Sequence, residues 1–393
     1  MMEQNSPFRS KGFLMTSAAA PQDVRPFRIA VSDADIADLE DRLGRTRWAP
    51  ETPGEEWSRG VPTSYVRELA EYWRTGFDWR AQEARLNAHS QFLTEIDGYD
   101  VHFLHHRSAN EDATPLLLVH GWPGSVAEFL DLILLLTDDF HLVVPSLPGF
   151  GFGGRLVDEG WDSERIARAF ASLMERLGYD RYGVQGGDIG AFVAPIMGRL
   201  APERIIGLHV NALITFPSGA EGELDGLTTE EHGRRERLQN FQDDMMGYSQ
   251  IQGTRPKTLM HALNDSPAGQ LAWIVEKFRE WTDPTAPTPE DAVGRDALLT
   301  DVSVCWFTQT AGSSANHYWE TNHDPATFAP QPKSDVPLAV LLSKTQDITI
   351  RRLAERDHTL ARWTELERGG HFLAMENPEA LAVDLRAFFA GRG

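Results

Sequence analysis

The sequence predicts an α/β fold with a mostly parallel central sheet and helices on both faces. From residue 115 onward, short apolar runs typical of buried strands alternate with amphipathic helical segments, and this alternation indicates a parallel sheet. The chain has 393 residues, of which 41% are hydrophobic, and is long enough to bury a large core. The predicted strands are 116–119, 142–144, 182–185, 205–210 and 338–342, and the predicted helices are 125–136, 163–177, 190–200 and 379–389.

The segment before this alternation has a more local pattern. Residues 32–48 predict a helix capped by Ser32, and a second amphipathic helix follows over 64–74. Two strand-like runs within 92–107 flank Asp97-Gly98, a dipeptide typical of a tight hairpin turn. We therefore expect two helices and a hairpin ahead of the parallel sheet.

The alternation is interrupted between residues 214 and 336. This stretch contains a predicted helix over 271–281 and proline-rich joints. An insertion of this length between two core strands predicts a lid over the sheet. The predicted segments are an extension (1–25), an N-terminal segment (26–91), the first part of the core (92–213), the lid (214–336) and the second part of the core (337–393).

The charge and the single cysteine exclude several classes of protein. The formal net charge is −21, which repels nucleic-acid phosphates and anionic membrane surfaces, so we expect no nucleic-acid partner. Cys305 is the only cysteine, which excludes an internal disulfide framework and fits a reducing, cytoplasmic environment.

No membrane anchor is expected either, because no run of about 18 apolar residues occurs. The apolar run near the N terminus is too short for a secretion signal. We therefore expect residues 1–25 to form a flexible extension of a soluble protein, with Met1, Met2 and Met15 as alternative start positions.

Residues 183–191, Gly-Val-Gln-Gly-Gly-Asp-Ile-Gly-Ala, predict a nucleophile elbow. They follow an apolar strand and precede an amphipathic helix, which is the context such a turn requires. The glycines leave room for the tight turn, and the backbone N–H of Ile189 can face a developing negative charge. Because the nucleophile position holds Asp188, a carboxylate would attack an sp³ carbon and leave an ester on the enzyme. An ordinary esterase or lipase is therefore disfavoured.

Hydrolysis of such an ester needs a base and an acid that orients it. His371 follows the apolar run 361–366 and precedes the last helix, which predicts a base at the carboxyl edge of the sheet. Asp347 follows the strand 338–342, in the chain order nucleophile, acid, histidine. Three nearby acids remain alternatives for this acid: Asp335, Glu355 and Asp357.

A third motif, His120-Gly121-Trp122-Pro123-Gly124, follows the strand expected beside the elbow. The backbone N–H of Trp122 can face the same oxyanion as that of Ile189, so these two residues are the predicted oxyanion hole. No metal site is predicted, because the histidines near this turn are not spaced with a carboxylate as metal ligands would be.

These motifs together resemble the α/β-hydrolase-fold epoxide hydrolases, and most closely the microsomal and juvenile-hormone type. Residues 26–91 look like the N-terminal meander of that type, and Ala262-Leu263-Asn264-Asp265-Ser266-Pro267-Ala268-Gly269 with 273–278 looks like its lid signature. The resemblance covers about residues 26–393 and implies a soluble, actinomycete-like bacterial form without a membrane anchor.

The resemblance implies that two lid tyrosines hydrogen-bond the epoxide oxygen and protonate it. Of seven tyrosines, only Tyr248 and Tyr318 fall inside the insertion, and both match locally. It implies no cofactor and no metal, with a small-molecule epoxide and water as partners and a homo-oligomer as a possible assembly. The sequence departs from the family at Ile189, where Trp is usual, at Gly154, where Ser or Thr is frequent, and at Asp347, where microsomal relatives commonly have Glu.

We therefore expect an epoxide hydrolase that converts an apolar or aryl epoxide to a vicinal diol through an ester on Asp188. A haloalkane dehalogenase with the same aspartate and histidine is the nearest alternative; the 11 tryptophans keep it open and the lid tyrosines argue against it. A non-catalytic protein of this fold that binds a small molecule is the alternative of another class. Detoxification, including aromatic hydrocarbon catabolism, and antibiotic biosynthesis both remain open as roles.

Overall fold

The computed structural model describes residues 23–54, 57–327, 329 and 331–392. Most of the predicted extension, residues 1–25, lies outside these described residues. Its last residue, Arg25, begins a strand instead, which the sequence pattern did not indicate because three residues carry no periodicity.

A nine-stranded sheet forms the centre of the protein, in the order β1-β2-β3-β5-β4-β6-β7-β8-β9. Strands β4 to β9 pair in parallel, whereas β1 pairs antiparallel with β2, β2 with β3, and β3 with β5. The sheet is thus mostly parallel, as predicted. The strands are β1 Arg25–Phe27, β2 Gln91–Ile96, β3 Tyr99–His106, β4 Thr114–Val119, β5 Phe140–Pro145, β6 Tyr182–Gly186, β7 Ile205–Asn211, β8 Pro337–Ser343 and β9 Thr359–Leu366.

Helices cover both faces of the sheet and form the insertion between β7 and β8. The helix predicted over 125–136 begins as a 3₁₀ turn, Val126–Phe129, and continues as α4. The α-helices are α1 Asp33–Gly44, α2 Thr63–Thr75, α3 Trp79–Asn87, α4 Leu130–Leu136, α5 Ser163–Arg176, α6 Ile189–Leu200, α7 Thr229–Asn240, α8 Gly247–Thr254, α9 Pro256–Asp265, α10 Pro267–Trp281, α11 Pro289–Val293, α12 Arg295–Thr308, α13 Ala311–His323, α14 Arg351–Asp357, α15 Leu373–Glu376 and α16 Pro378–Phe389.

The core lies on both faces of the parallel strands, which explains why the central strands β4 and β5 are largely apolar. In β4, Leu117 and Val119 pack on the face covered by α5 and α6. Leu116 and Leu118 pack on the opposite face, against α4 and α16. Successive side chains of a strand point to opposite faces, so a sheet buried on both sides needs a continuous apolar run.

The N-terminal helices pack against the lid helices rather than against the sheet alone. The indole Nε1 of buried Trp73, in α2, donates to Ser303 Oγ in α12 at 2.9 Å. The hydroxyl of Tyr72 donates to Asp296 at 2.8 Å. Side chains of the N-terminal segment therefore hold α12 in place over the sheet.

Within the part of the chain that the structure describes, no helix is both long and apolar enough to cross a bilayer.

Candidate active site

The predicted elbow lies between β6 and α6. Asp188 has φ 54° and ψ −119°, a conformation that costs a non-glycine residue free energy and that is concentrated at functional sites. A Cβ atom on Gly186 would lie 2.3 Å from the carbonyl oxygen of Gly190, and one on Gly190 would lie 2.2 Å from that of Val119. Only glycines at these two positions allow helix α6 to start so close to the sheet.

Two backbone N–H groups hold the carboxylate of Asp188. The N–H of Trp122 donates to Oδ1 at 2.9 Å. The N–H of Ile189, at the start of α6, lies near the same carboxylate and lowers its pKa. The loop of Trp122 lies beside the elbow because Val119, the last residue of β4, pairs with Gly186. These two N–H groups are placed to bind an oxyanion formed at Oδ1.

His371 lies opposite the second oxygen of the nucleophile, with Nε2 3.4 Å from Asp188 Oδ2. Burial alone would raise the pKa of Asp188, but the hydrogen bonds and charge of His371, together with the two N–H donors, lower this pKa below its ordinary value. The backbone of His371 is fixed by its N–H donating to Trp281 O at 2.7 Å and by Asn211 Nδ2 donating to its carbonyl at 3.2 Å. Asp188 is thus an ionised nucleophile beside a histidine held by the lid and the sheet.

Two buried carboxyl groups interact electrostatically with His371. Burial raises the pKa of Asp347 to about 6, and burial raises that of Glu376 to about 7. Both oxygens of Glu376 accept backbone N–H groups, from Asp283 at 2.8 Å and from Phe372 at 3.0 Å. Asp347 accepts the N–H of Ser343 with Oδ2 alone, which leaves Oδ1 for another donor. Asp347 remains the predicted acid partner, and Glu376 is an acid that the sequence analysis did not consider.

The three alternatives to Asp347 are either exposed or paired with an arginine. Asp335 is exposed at the start of β8. Glu355 pairs with Arg351 at 2.8 Å, and Asp357 pairs with Arg356 at 2.6 Å. These ion pairs and this exposure favour Asp347 over all three.

The two lid tyrosines lie together above the nucleophile. The rings of Tyr248 and Tyr318 are in edge-to-face contact, with 5.7 Å between their centroids. Burial and the nearby charge of Asp188 raise the pKa of both phenols. The indole of Trp122 stacks on the Tyr248 ring and contacts the Tyr318 ring edge-on. Two protonated phenols therefore face the carboxylate, although the residues lie 70 positions apart in the chain.

The sequence and the fold of the chain are similar to those of known proteins. Residues 24–129 match the family described as the epoxide hydrolase N terminus, and residues 114–248 match the α/β hydrolase fold. A putative epoxide hydrolase of Stigmatella aurantiaca is 44% identical over 378 residues, which cover 93% of this chain and 84% of that protein. Epoxide hydrolase 1 of Sus scrofa is 35% identical over 411 residues, covering 95% and 90%.

This chain belongs to the epoxide hydrolase family.

Two solved structures of epoxide hydrolases have the same fold over nearly the whole chain. The juvenile hormone epoxide hydrolase of the silkworm Bombyx mori has a TM-score of 0.86 and 31% identity, and the match covers 94% of this chain and 95% of that one. The epoxide hydrolase of Aspergillus niger has a TM-score of 0.84 and 32% identity, covering 95% and 98%. The resemblance stated from the motifs is confirmed, and these relatives favour an epoxide hydrolase over a haloalkane dehalogenase or a non-catalytic binding protein.

Two further residues lie at the site of this epoxide hydrolase, and the sequence analysis did not predict either of them. Lys277 is buried in α10, pairs with Glu280 at 2.7 Å, and places Nζ 4.8 Å from the centre of the Tyr248 ring. Trp281, at the end of α10, contacts both Tyr248 and His371 with ring distances of 5.2 and 5.0 Å. These two residues are four positions apart, so they lie on one face of the predicted helix. This spacing is the signal by which the sequence could have linked them.

Proposed function

We propose that the protein hydrolyses an apolar epoxide to a vicinal diol through an ester on Asp188. The observation that carries this proposal is the pairing of the two carboxylate oxygens of Asp188 with different groups. Oδ1 accepts the N–H of Trp122, and Oδ2 faces His371. One oxygen can thus attack carbon while the other stays in the oxyanion hole.

In the first step, Oδ2 of Asp188 attacks a ring carbon and the bond from that carbon to the epoxide oxygen breaks. Tyr248 and Tyr318 hydrogen-bond the departing oxygen, and a proton from one phenol converts it to a hydroxyl group. Burial supports this role, because it keeps the phenols protonated until a developing alkoxide accepts the proton.

In the second step, His371 removes a proton from a water that attacks Cγ of Asp188. The negative charge that forms on Oδ1 is bound by the N–H groups of Trp122 and Ile189. The intermediate then collapses, His371 returns its proton to the former Oδ2, and the diol leaves with that oxygen. The second proton of the water passes from the regenerated carboxyl group of Asp188 to the phenolate, which restores both groups. Asp347 holds the imidazole in the correct tautomer and stabilises its charged form. The free Oδ1 of Asp347 and its electrostatic contact with His371 support this assignment.

The aromatic surroundings of the site support an apolar or aryl substrate. Trp122, Tyr248, Trp281 and Tyr318 are in ring contact with one another around the nucleophile. Phe278, another aromatic lid residue, stacks at 4.1 Å on Phe372 in the core. Cytoplasmic location and homo-oligomer formation remain predictions of the sequence.

Single turnover of an aryl epoxide in ¹⁸O-water tests the proposal. We expect the label to enter the Asp188 carboxylate in the first turnover and the diol only in later turnovers, measured by mass spectrometry of the peptide and of the product. Label in the first-turnover diol would overturn the ester mechanism, and turnover of a haloalkane but not of any epoxide would favour the dehalogenase alternative.

A further inference from the structure

The side chain of Glu128 lies in the walls of two cavities. The first cavity is lined by Asp188, His371 and the loop of Trp122, and it reaches the nucleophile without touching either lid tyrosine. The second cavity lies between the 3₁₀ turn that carries Glu128 and the lid helix α12, and Arg85 and Asp131 line it too. Glu128 lines both cavities.

Two residues in the wall of the second cavity are partly exposed to solvent. Arg85 and Asp131 form an ion pair whose side chains are 38% and 56% exposed, so the cavity wall includes solvent-facing groups. Ala297 and Thr300, on α12, line its lid side. Glu128 therefore stands between a cavity with solvent-facing groups in its wall and the cavity beside the nucleophile.

Glu128 is half-buried, and its carboxylate has no hydrogen-bond partner among the described residues. Within the described residues neither of its oxygens has a hydrogen bond, and no cation is close enough to shift its pKa. Its neighbours by charge are Asp301 and Asp188, both acidic, and burial with these charges raises the pKa of Glu128 well above its ordinary value. A Cβ atom on Gly124 would lie 1.3 Å from Oε1 of Glu128, so the glycine of the oxyanion loop makes room for this carboxyl group.

Asp301 provides a second unpartnered oxygen beside Glu128. It is 1% exposed, its Oδ1 accepts the hydroxyl of Ser125, and its Oδ2 is buried with no hydrogen bond. Burial raises its pKa to about 7. A buried polar atom is normally hydrogen-bonded to protein or to ordered water, so this pair of acids has the chemistry of a water site.

We propose that Glu128 is a positioning residue that takes water from the second cavity and passes it to the ester of Asp188. The inference rests on the proposed function. A protonated carboxyl group both donates and accepts a hydrogen bond, so it can hold a water molecule without competing with His371 for the proton. In the ester intermediate the alkyl group lies on the tyrosine side, so water arriving through the first cavity reaches Cγ from the side of His371.

The test compares Glu128→Leu with Glu128→Gln in single-turnover kinetics on an aryl epoxide. Ester formation and ester hydrolysis are measured separately by rapid quench and protein mass spectrometry. We expect the leucine variant to form ester at the wild-type rate and to hydrolyse it roughly 10-fold or more slowly, the order of effect of lost positioning. The glutamine variant, which still donates and accepts, should keep most of the hydrolysis rate.

A second variant tests whether water comes from the second cavity and leaves Glu128 and Asp301 unchanged. Ala297→Phe fills the second cavity and should slow ester hydrolysis alone, whereas Ala297→Ser, its matched control, should leave both steps unchanged. Thermal unfolding of each variant separates a folding defect from a kinetic one. Equal loss of both steps in Glu128→Leu, or unchanged hydrolysis in both Glu128→Leu and Ala297→Phe, would overturn the proposal. Absence of any ester in the wild-type enzyme would instead overturn the proposed function and this inference with it.

Discussion

The indole ring of Trp122 stacks on the phenol ring of Tyr248, with 5.0 Å between the ring centroids and 8° between their planes. The backbone N–H of the same Trp122 donates to Asp188. One residue thus contacts both the group proposed to protonate the epoxide oxygen and the atom proposed to carry the oxyanion. The two proposed half-reactions therefore share a single loop.

Tyr248→Phe should slow ester formation. The variant loses one of the two phenols that face Asp188 while keeping the ring stack on Trp122, so we expect the rate to fall on the order of 10²-fold, as for loss of a general acid. Stopped-flow or rapid-quench single turnover measures it. Tyr182→Phe is the matched control, because its buried hydroxyl has no hydrogen-bond partner. An undiminished rate would remove Tyr248 from the site.

His371→Gln should trap the ester. Asp188 keeps its two N–H donors in this variant and can still attack, but no base remains to activate water. We expect intact-protein mass spectrometry to show one equivalent of added substrate and steady-state diol formation to be lost. Asp188→Asn should show no adduct. Rapid diol release by His371→Gln would contradict the assigned base.

Asp347→Asn should slow ester hydrolysis while its stability relative to wild type increases with pH. The pKa of Asp347 is raised to about 6, above the value of about 3.9 in an unfolded chain, so the folded protein binds the extra proton between these values. This group therefore contributes stability at low pH that is lost as the pH rises through about 6. We expect the Tm of Asp347→Asn relative to wild type to rise from pH 4 to pH 7, while hydrolysis of the ester falls on the order of 10²- to 10⁴-fold.

Glu376→Gln is the comparison for that experiment. Both oxygens of Glu376 are already bound by backbone N–H groups, so we expect a smaller loss of ester hydrolysis than in Asp347→Asn. Single-turnover hydrolysis rates at pH 7 decide between the two. A larger loss in Glu376→Gln would transfer the acid role from Asp347 to Glu376.

Gly190→Ala should destabilise the protein and inactivate it. The added Cβ would lie 2.2 Å from the carbonyl oxygen of Val119, so α6 must move away from β4. Overpacking of this kind costs about 1 to 3 kcal/mol or more, and chemical denaturation measures it. Gly247→Ala is the matched control, because a Cβ there meets no atom within 4 Å. Equal stability of the two variants would contradict the close approach of α6 and β4.

The sequence predicted those parts of the site that are carried by local motifs. Asp188, Ile189 and Trp122 lie in turns whose glycines and flanking strands can be recognised in one window, and the structure brings all three together. His371 was recognisable because it follows the last core strand. Tyr248 and Tyr318 depended on the family resemblance, since no local pattern shows that two lid tyrosines converge.

The residues that sequence reasoning missed depend on tertiary contacts. A glutamate such as Glu128, at the start of a helix, is usually solvated, and only its position against Gly124 and near Asp301 makes it half-buried. Helix α3 was not predicted because its nine residues are mostly polar, with only Trp79 and Leu86 buried. The helix predicted over 32–48 ends at Gly44, so its start, capped by Ser32, was better defined than its end.

The attachment of α2 to α12 limits how a substrate can enter. Moving α12 outward as a rigid flap would expose the indole of Trp73, which is 3% exposed, and would break its hydrogen bond to Ser303. Uncovering an indole of this size costs about 4 to 6 kcal/mol, which makes such an opening rare. We therefore expect α12 to stay in place during catalysis. Substrates would then be selected by the size of a permanent entrance to the site rather than by opening and closing of the lid.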